Sequence, residues 1–156
     1  MPLTPLHFGL LAPVNYFAKD KVSNVSFILA NVWMDTKSIA FVLTGYGAIS
    51  HSDHELWWAL VMACIIGVFR WNRAWWIGAF LGSTSHVLLD SFVHADVQPF
   101  APWIAGNPLF LSLMEPLSLV LLALCAWLTA QYVSKIRETL ETNLAAVKAA
   151  LAKRGL

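Results

Sequence analysis

What most constrains this chain is the length of its apolar runs. Five can be marked off, at about residues 2–18, 25–49, 56–69, 74–93 and 109–133. The last holds 25 residues with a single charge, Glu115, and a membrane-spanning helix needs about 20. These runs are not confined to one stripe of a helix, so a soluble core in a 156-residue chain has no room for them. Composition agrees: 58% of the residues are hydrophobic and 12% are charged, about half the charged share of a soluble domain. Eight Trp residues fit a chain whose indoles sit at the boundary between water and lipid. The expected fold is all-α: a polytopic membrane helix bundle with about five membrane helices.

The runs differ in quality. The first is short and interrupted by Pro5 and Pro13, so it either spans or re-enters. It lacks the basic start and small-residue cleavage site of a signal peptide, and is expected to be retained. The second is long enough but carries Asn31, Asp35 and Lys37. The third is short and reads as a tilted helix or one in a thinned bilayer. The fourth contains Gly78, Gly82, Ser83 and Ser85, small residues that let helices approach closely in lipid. In the fifth, Pro116 is expected to introduce a bend. Residues 94–108, with Pro99, Pro102, Gly106 and Pro108 around Phe100 and Trp103, read as a structured interfacial loop. Cys64 and Cys125 both lie in apolar runs and read as unpaired core thiols.

From Lys135 the character changes. Ile136, Leu140, Leu144, Val147 and Leu151 fall on one helical face among charged residues. The chain therefore divides into a membrane bundle at 1–134 and an amphipathic helical tail at 135–156. The tail reads as a surface helix resting on the bilayer or the bundle, or as a seam for homo-oligomer formation. Lys19 and Lys21, Arg70 and Arg73, and Lys135 with Arg137 fall on one side when the spans are counted alternately. The positive-inside rule makes that side, and the C-terminus, cytoplasmic. A formal net charge of +1 offers no basic field for nucleic acid; the expected partner is the bilayer itself.

Several ionisable residues lie where lipid would make them costly. His86, Asp90 and His94 are spaced four apart on the fourth run, each step turning only about 40° around a helix, so they share a face. His86 and Asp90 can place a ring nitrogen and a carboxylate on one divalent ion. His94 lies a further turn away, too far to join the same ion unless the helix breaks. With the topology above, His7, His51, His54 and Glu115 gather toward the same outer half, with Asp35 near mid-depth. A buried Asp90 carboxylate needs a cation or a proton, and a donor set of nitrogen and carboxylate suits Zn²⁺, with Mn²⁺ or non-haem iron as alternatives, better than Ca²⁺ or Mg²⁺.

The run Ser85-His86-Val87-Leu88-Leu89-Asp90-Ser91, followed by His94-Ala95-Asp96 and Pro99-Phe100, resembles the hallmark of the YdjM-like family of bacterial membrane-bound, metal-dependent hydrolases. Thr4-Pro5-Leu6-His7-Phe8-Gly9 resembles that family's N-terminal His motif, and Ala30-Asn31-Val32-Trp33-Met34-Asp35 its buried Asn…Asp motif. The stretch from Leu43-Thr44-Gly45 to His54 resembles the one ending in its central His. The resemblance covers about residues 1–110 and implies a site in the cytoplasmic (inner) membrane of a bacterium. Two positions depart from the pattern: Lys37 stands where an acidic residue is common, and Glu55 where Thr or Ser is usual. A lysine there favours a site with one ion.

The expected function is hydrolysis of a lipid or lipid-linked ester or phosphoester near the outer leaflet, with a divalent metal. His86, Asp90 and His54 would hold the ion, with His7 and Asp35 as further ligands or as residues that orient them. Glu55 or Asp35 would accept the proton, and Lys37 would balance a phosphate charge. The aromatic loop would seat an acyl chain. The alternatives are a non-enzymatic intramembrane ion or proton carrier, a redox subunit using two His as axial ligands, and a structural membrane subunit.

Overall fold

The computed structural model describes residues 4–47, 51 and 54–153, and every regular element among them is helical. In chain order these are α1 (Thr4–His7), α2 (Leu11–Ala18), α3 (Asn24–Met34), α4 (Thr36–Thr44), α5 (Leu56–Val68), α6 (Arg73–Val93) and α7 (Met114–Lys153). Short 3-10 turns at Phe8–Leu10 and Lys19–Lys21 connect the first three. Asp53, in the turn before α5, lies outside the described residues.

Helices α3, α5 and α6 form the core. Small residues set how closely they pack: Ala30, Ala63, Ile66 and Ala79 meet at one level, and Met34, Ala59, Met62 and Val87 at the next. On α6, a methyl group on Gly78 would strike the Ser23 carbonyl and the Ser26 hydroxyl, and one on Gly82 would strike the Phe27 carbonyl. This spacing of two glycines with three residues between them is the pattern that admits close backbone approach in membrane helices. Polar links fix the register: Ser26 Oγ donates to the Trp75 carbonyl at 2.8 Å, and Trp75 Nε1 to the Ile66 carbonyl at 2.7 Å. Side chains cap the starts of two helices, Ser23 for α3 and Asn72 for α6.

The second apolar run is not one continuous helix. It breaks at Asp35, and α4 leaves α3 at an angle of 63°. At the break the Asp35 amide turns back to the Val32 carbonyl and the Thr36 hydroxyl to the Trp33 carbonyl at 2.7 Å, local bonds that compete with the helical ladder. The first run is likewise broken, into α1, a 3-10 turn and α2, and it packs on α7. Gly9 lies so close that an added methyl would come within 2.6 Å of the Leu121 carbonyl, and Gln131 Nε2 donates to the Ala12 carbonyl at 3.1 Å.

Helix α7 begins at Met114, later than the apolar run, so Pro116 sits in its first turn and no helical hydrogen bond is lost there. The tail continues the same helix without a break. Met114–Val147 is long and apolar enough to cross a membrane. Apart from Leu121, which is buried against the first run, many of its apolar side chains face outward, with Leu119 68% and Val133 59% exposed, and Ile136, Leu140, Leu144 and Val147 are exposed on the tail. Cys64 and Cys125 are unpaired, as expected, but Cys64 is exposed rather than in the core because it faces out from α5.

Residues 94–113 form the structured loop expected from their prolines. Val97 and Pro99 are buried. The Pro99 carbonyl accepts the Leu56 amide at 2.9 Å, and the Leu111 amide returns to the Phe92 carbonyl at 3.2 Å. The loop thus closes over the end of the core where α5 begins and α6 stops.

Candidate metal centre

Four elements deliver polar side chains to that end of the core. α1 brings His7; the end of α3 brings Asn31 and, at the break, Asp35; the turn before α5 brings His54; and α6 brings His86 and Asp90. None of His7, Asp35, His54, His86 and Asp90 exposes more than 7% of its surface. Two buried carboxylates among imidazoles demand compensation, because water is not there to supply it.

Asp35, His54, His86 and Asp90 form a group that could hold a metal ion. His54 Nε2 and His86 Nε2 are 3.3 Å apart, and Asp35 Oδ1 is 3.5 Å from each of them. Asp90 Oδ2 is 3.3 Å from His54 Nε2 and 3.4 Å from His86 Nε2. Five of the six distances among these atoms are therefore 3.3–3.5 Å, close to the edge of a tetrahedron whose corners lie about 2.0–2.1 Å from its centre, the length of a zinc–nitrogen or zinc–oxygen bond. A proton on one imidazole would satisfy one or two of these edges; a divalent ion satisfies them together.

The orientation of His86 is set from behind. Its Nδ1 lies 3.2 Å from Asn31 Oδ1, and Asn31 Nδ2 donates to the Phe27 carbonyl at 3.3 Å. With the amide nitrogen so occupied, the oxygen faces His86 and draws the ring proton to Nδ1. The Nε2 lone pair is then directed at the centre, the arrangement in which outer hydrogen bonds tune a metal-binding histidine.

His7 stands beside the four donors rather than among them. Its ring stacks on His86 with centroids 4.5 Å apart. Its Nε2 is 3.4 Å from Asp90 Oδ1, yet neither atom makes a hydrogen bond. The three residues expected to act on the substrate are dispersed. Asp35 is in the donor set itself. Glu55 is half-buried, and it borders an open cleft of about 440 Å³ with Trp57, Ala101, Pro102 and Trp103. Lys37 is exposed on the first turn of α4.

A second group was not legible in the spacing. His51, Asp90 and His94 also offer three donor atoms within 4.8 Å of one another. The signal that could have found His94 is the end of α6 at Val93: His94 takes an extended backbone, φ −118° and ψ 116°, and leaves the helical face it would otherwise share. Asp96 belongs here as well, its Oδ2 2.9 Å from His51 Nδ1. That hydrogen bond holds the Asp96 carboxyl below the ordinary carboxylate range, and partial burial pulls the His94 imidazole below its ordinary value. Comparison of the chain with protein-family models finds no match, and comparisons with curated proteins and with solved structures find no significant one.

Proposed function

We propose that this chain is a membrane-embedded, divalent-metal-dependent hydrolase acting on a lipid or lipid-linked ester or phosphoester near the outer leaflet, and that it resembles the YdjM-like hydrolases for that reason. The observation that carries the reading is the convergence of four buried donors, Asp35, His54, His86 and Asp90, with both histidines within 3.5 Å of both carboxylates. An ion held there, Zn²⁺ by the chemistry of its nitrogen and carboxylate donors, would supply a polarising charge. In this reading Glu55, next in sequence to His54, would take the proton. The cleft between Trp57 and Trp103 offers an apolar wall for an acyl chain. Lys37, exposed on the first turn of α4, would in the same reading balance a phosphate charge.

Several features support a multi-pass arrangement in the cytoplasmic membrane. α6 has 21 residues, about 31 Å of helix, against a hydrocarbon core of about 30 Å. Ser23 donates its amide to the Ala74 carbonyl at 2.9 Å, which draws Lys21 and Arg73 to one end of the bundle, where both border one cavity. His86 lies 13 residues along from Arg73, about 20 Å up the helix. With the basic end cytoplasmic, the metal centre falls in the outer half.

The test is hydrolysis by the detergent-purified, Zn²⁺-loaded chain of phospholipids labelled separately at the acyl ester and at the headgroup phosphate. The expected result is release of one label, abolished by chelation, restored by Zn²⁺ and absent in Asp90→Asn. Release no greater than that of Asp90→Asn from every substrate would overturn the enzymatic reading.

A further inference from the structure

The donor set described above uses only one oxygen of Asp90. Oδ2 faces His54 and His86, whereas Oδ1 is buried with no hydrogen-bond partner, and so is Nε2 of His94. Buried polar atoms left unpaired are uncommon and call for a cause. His51 adds a third donor in the same place. Its Nδ1 is taken by Asp96, which leaves Nε2 for a ligand, and its ring stacks on His94 with centroids 4.2 Å apart and stands edge-on to His54 at 5.1 Å.

The loop holds this arrangement in place. Asn107 Nδ2 donates to the carbonyls of both Ser91 and His94, at 2.7 Å each. It thereby occupies carbonyls that the end of α6 leaves open and fixes the point where His94 turns off the helix.

We propose that His51, His94 and Asp90 bind a second divalent cation, with Asp90 bridging it to the first. The proposal rests on the metal reading of the first group. Bridged ions in two-metal hydrolytic sites lie about 3.5–4 Å apart. The two sites differ in what they leave open. Asp35, His54, His86 and Asp90 would give the first ion four protein donors. The second ion has three protein donors and so keeps positions for water and substrate. Two divalent ions carry four positive charges against three negative charges from the carboxylates of Asp35, Asp90 and Asp96, the last hydrogen-bonded to His51. The remaining charge favours an anionic phosphoester over a neutral carboxylic ester as the substrate class.

The experiment uses the full chain in detergent, stripped of metal and titrated with Mn²⁺, with stoichiometry and electron paramagnetic resonance read together. The expected result is two ions per chain with a spin-coupled spectrum, changed by added inorganic phosphate. His94→Ala and His51→Ala, the latter at the rim of the site, should each hold one ion with an uncoupled six-line signal. The wild-type spectrum needs no variant, and far-ultraviolet circular dichroism reports whether each variant keeps its helices. One uncoupled ion in the wild type overturns this inference and leaves the four-donor centre standing. No bound ion overturns that centre too. A coupled pair that survives in both variants overturns the assignment to His51 and His94, and a spectrum indifferent to phosphate overturns the substrate class.

Discussion

Asn31 shows how much of the centre depends on a residue that offers no ligand. Through Oδ1 it fixes which nitrogen of His86 carries the proton. Asn31→Ala should therefore leave the chain folded and weaken metal binding about 10–100-fold, as competition with a chromophoric chelator would measure; unchanged affinity would remove Asn31 from the account. Acid should act on the ligands directly. Protons compete with the ion for the imidazoles, so bound metal should be retained at neutral pH and lost as pH falls below about 6, reversibly, in equilibrium dialysis. At this scale His86 and Asp90 were legible because their spacing puts them on one helical face, and His7, His54 and Asp35 were legible from their motifs. His51 and His94 were not assigned as ligands. A helical projection places His94 a turn beyond the ion, and only the end of α6 at Val93 brings it back.

Among the elements, the pairing of α3 with α6 positions three of the four donors of the first group. The approach is set by Gly78 and Gly82, whose missing side chains admit the Ser23 and Phe27 carbonyls. Gly82→Ala should push the helices apart, lower stability by about 1–3 kcal/mol and reduce metal affinity as well. A thermal-unfolding midpoint and a metal titration unchanged from wild type would contradict this. Those small residues were readable in the sequence as a packing face. The break at Asp35 was not, because hydropathy runs smoothly from Val25 to Thr44 apart from a few polar residues that a single span also tolerates. What ends α3 is local bonding by Asp35 and Thr36, and that break sets the Asp35 carboxylate against His54 and His86.

For the whole molecule, the all-helical fold followed from the length and number of the apolar runs, and the loop from its prolines. The continuity of α7 into the tail did not follow, because the change in composition near Lys135 resembles a boundary while the backbone continues through it. The proposed orientation is tested with single cysteines in a background lacking Cys64 and Cys125. A membrane-impermeant maleimide should label Gln98→Cys, in the loop over the site, in intact cells, and Ala149→Cys, on the tail, only after permeabilisation. The reverse pattern would invert the topology.

The central claim is that buried histidines and aspartates of α3, α6 and the turn before α5 hold a divalent metal. It is tested most directly by elemental analysis of the detergent-purified chain beside Asp90→Asn and His86→Ala. The account predicts a tightly held transition metal in the wild type, sharply reduced in both variants at similar yield and helicity. A wild type free of metal after supplementation with Zn²⁺, Mn²⁺ or Fe²⁺, or equal metal in all three proteins, would contradict it.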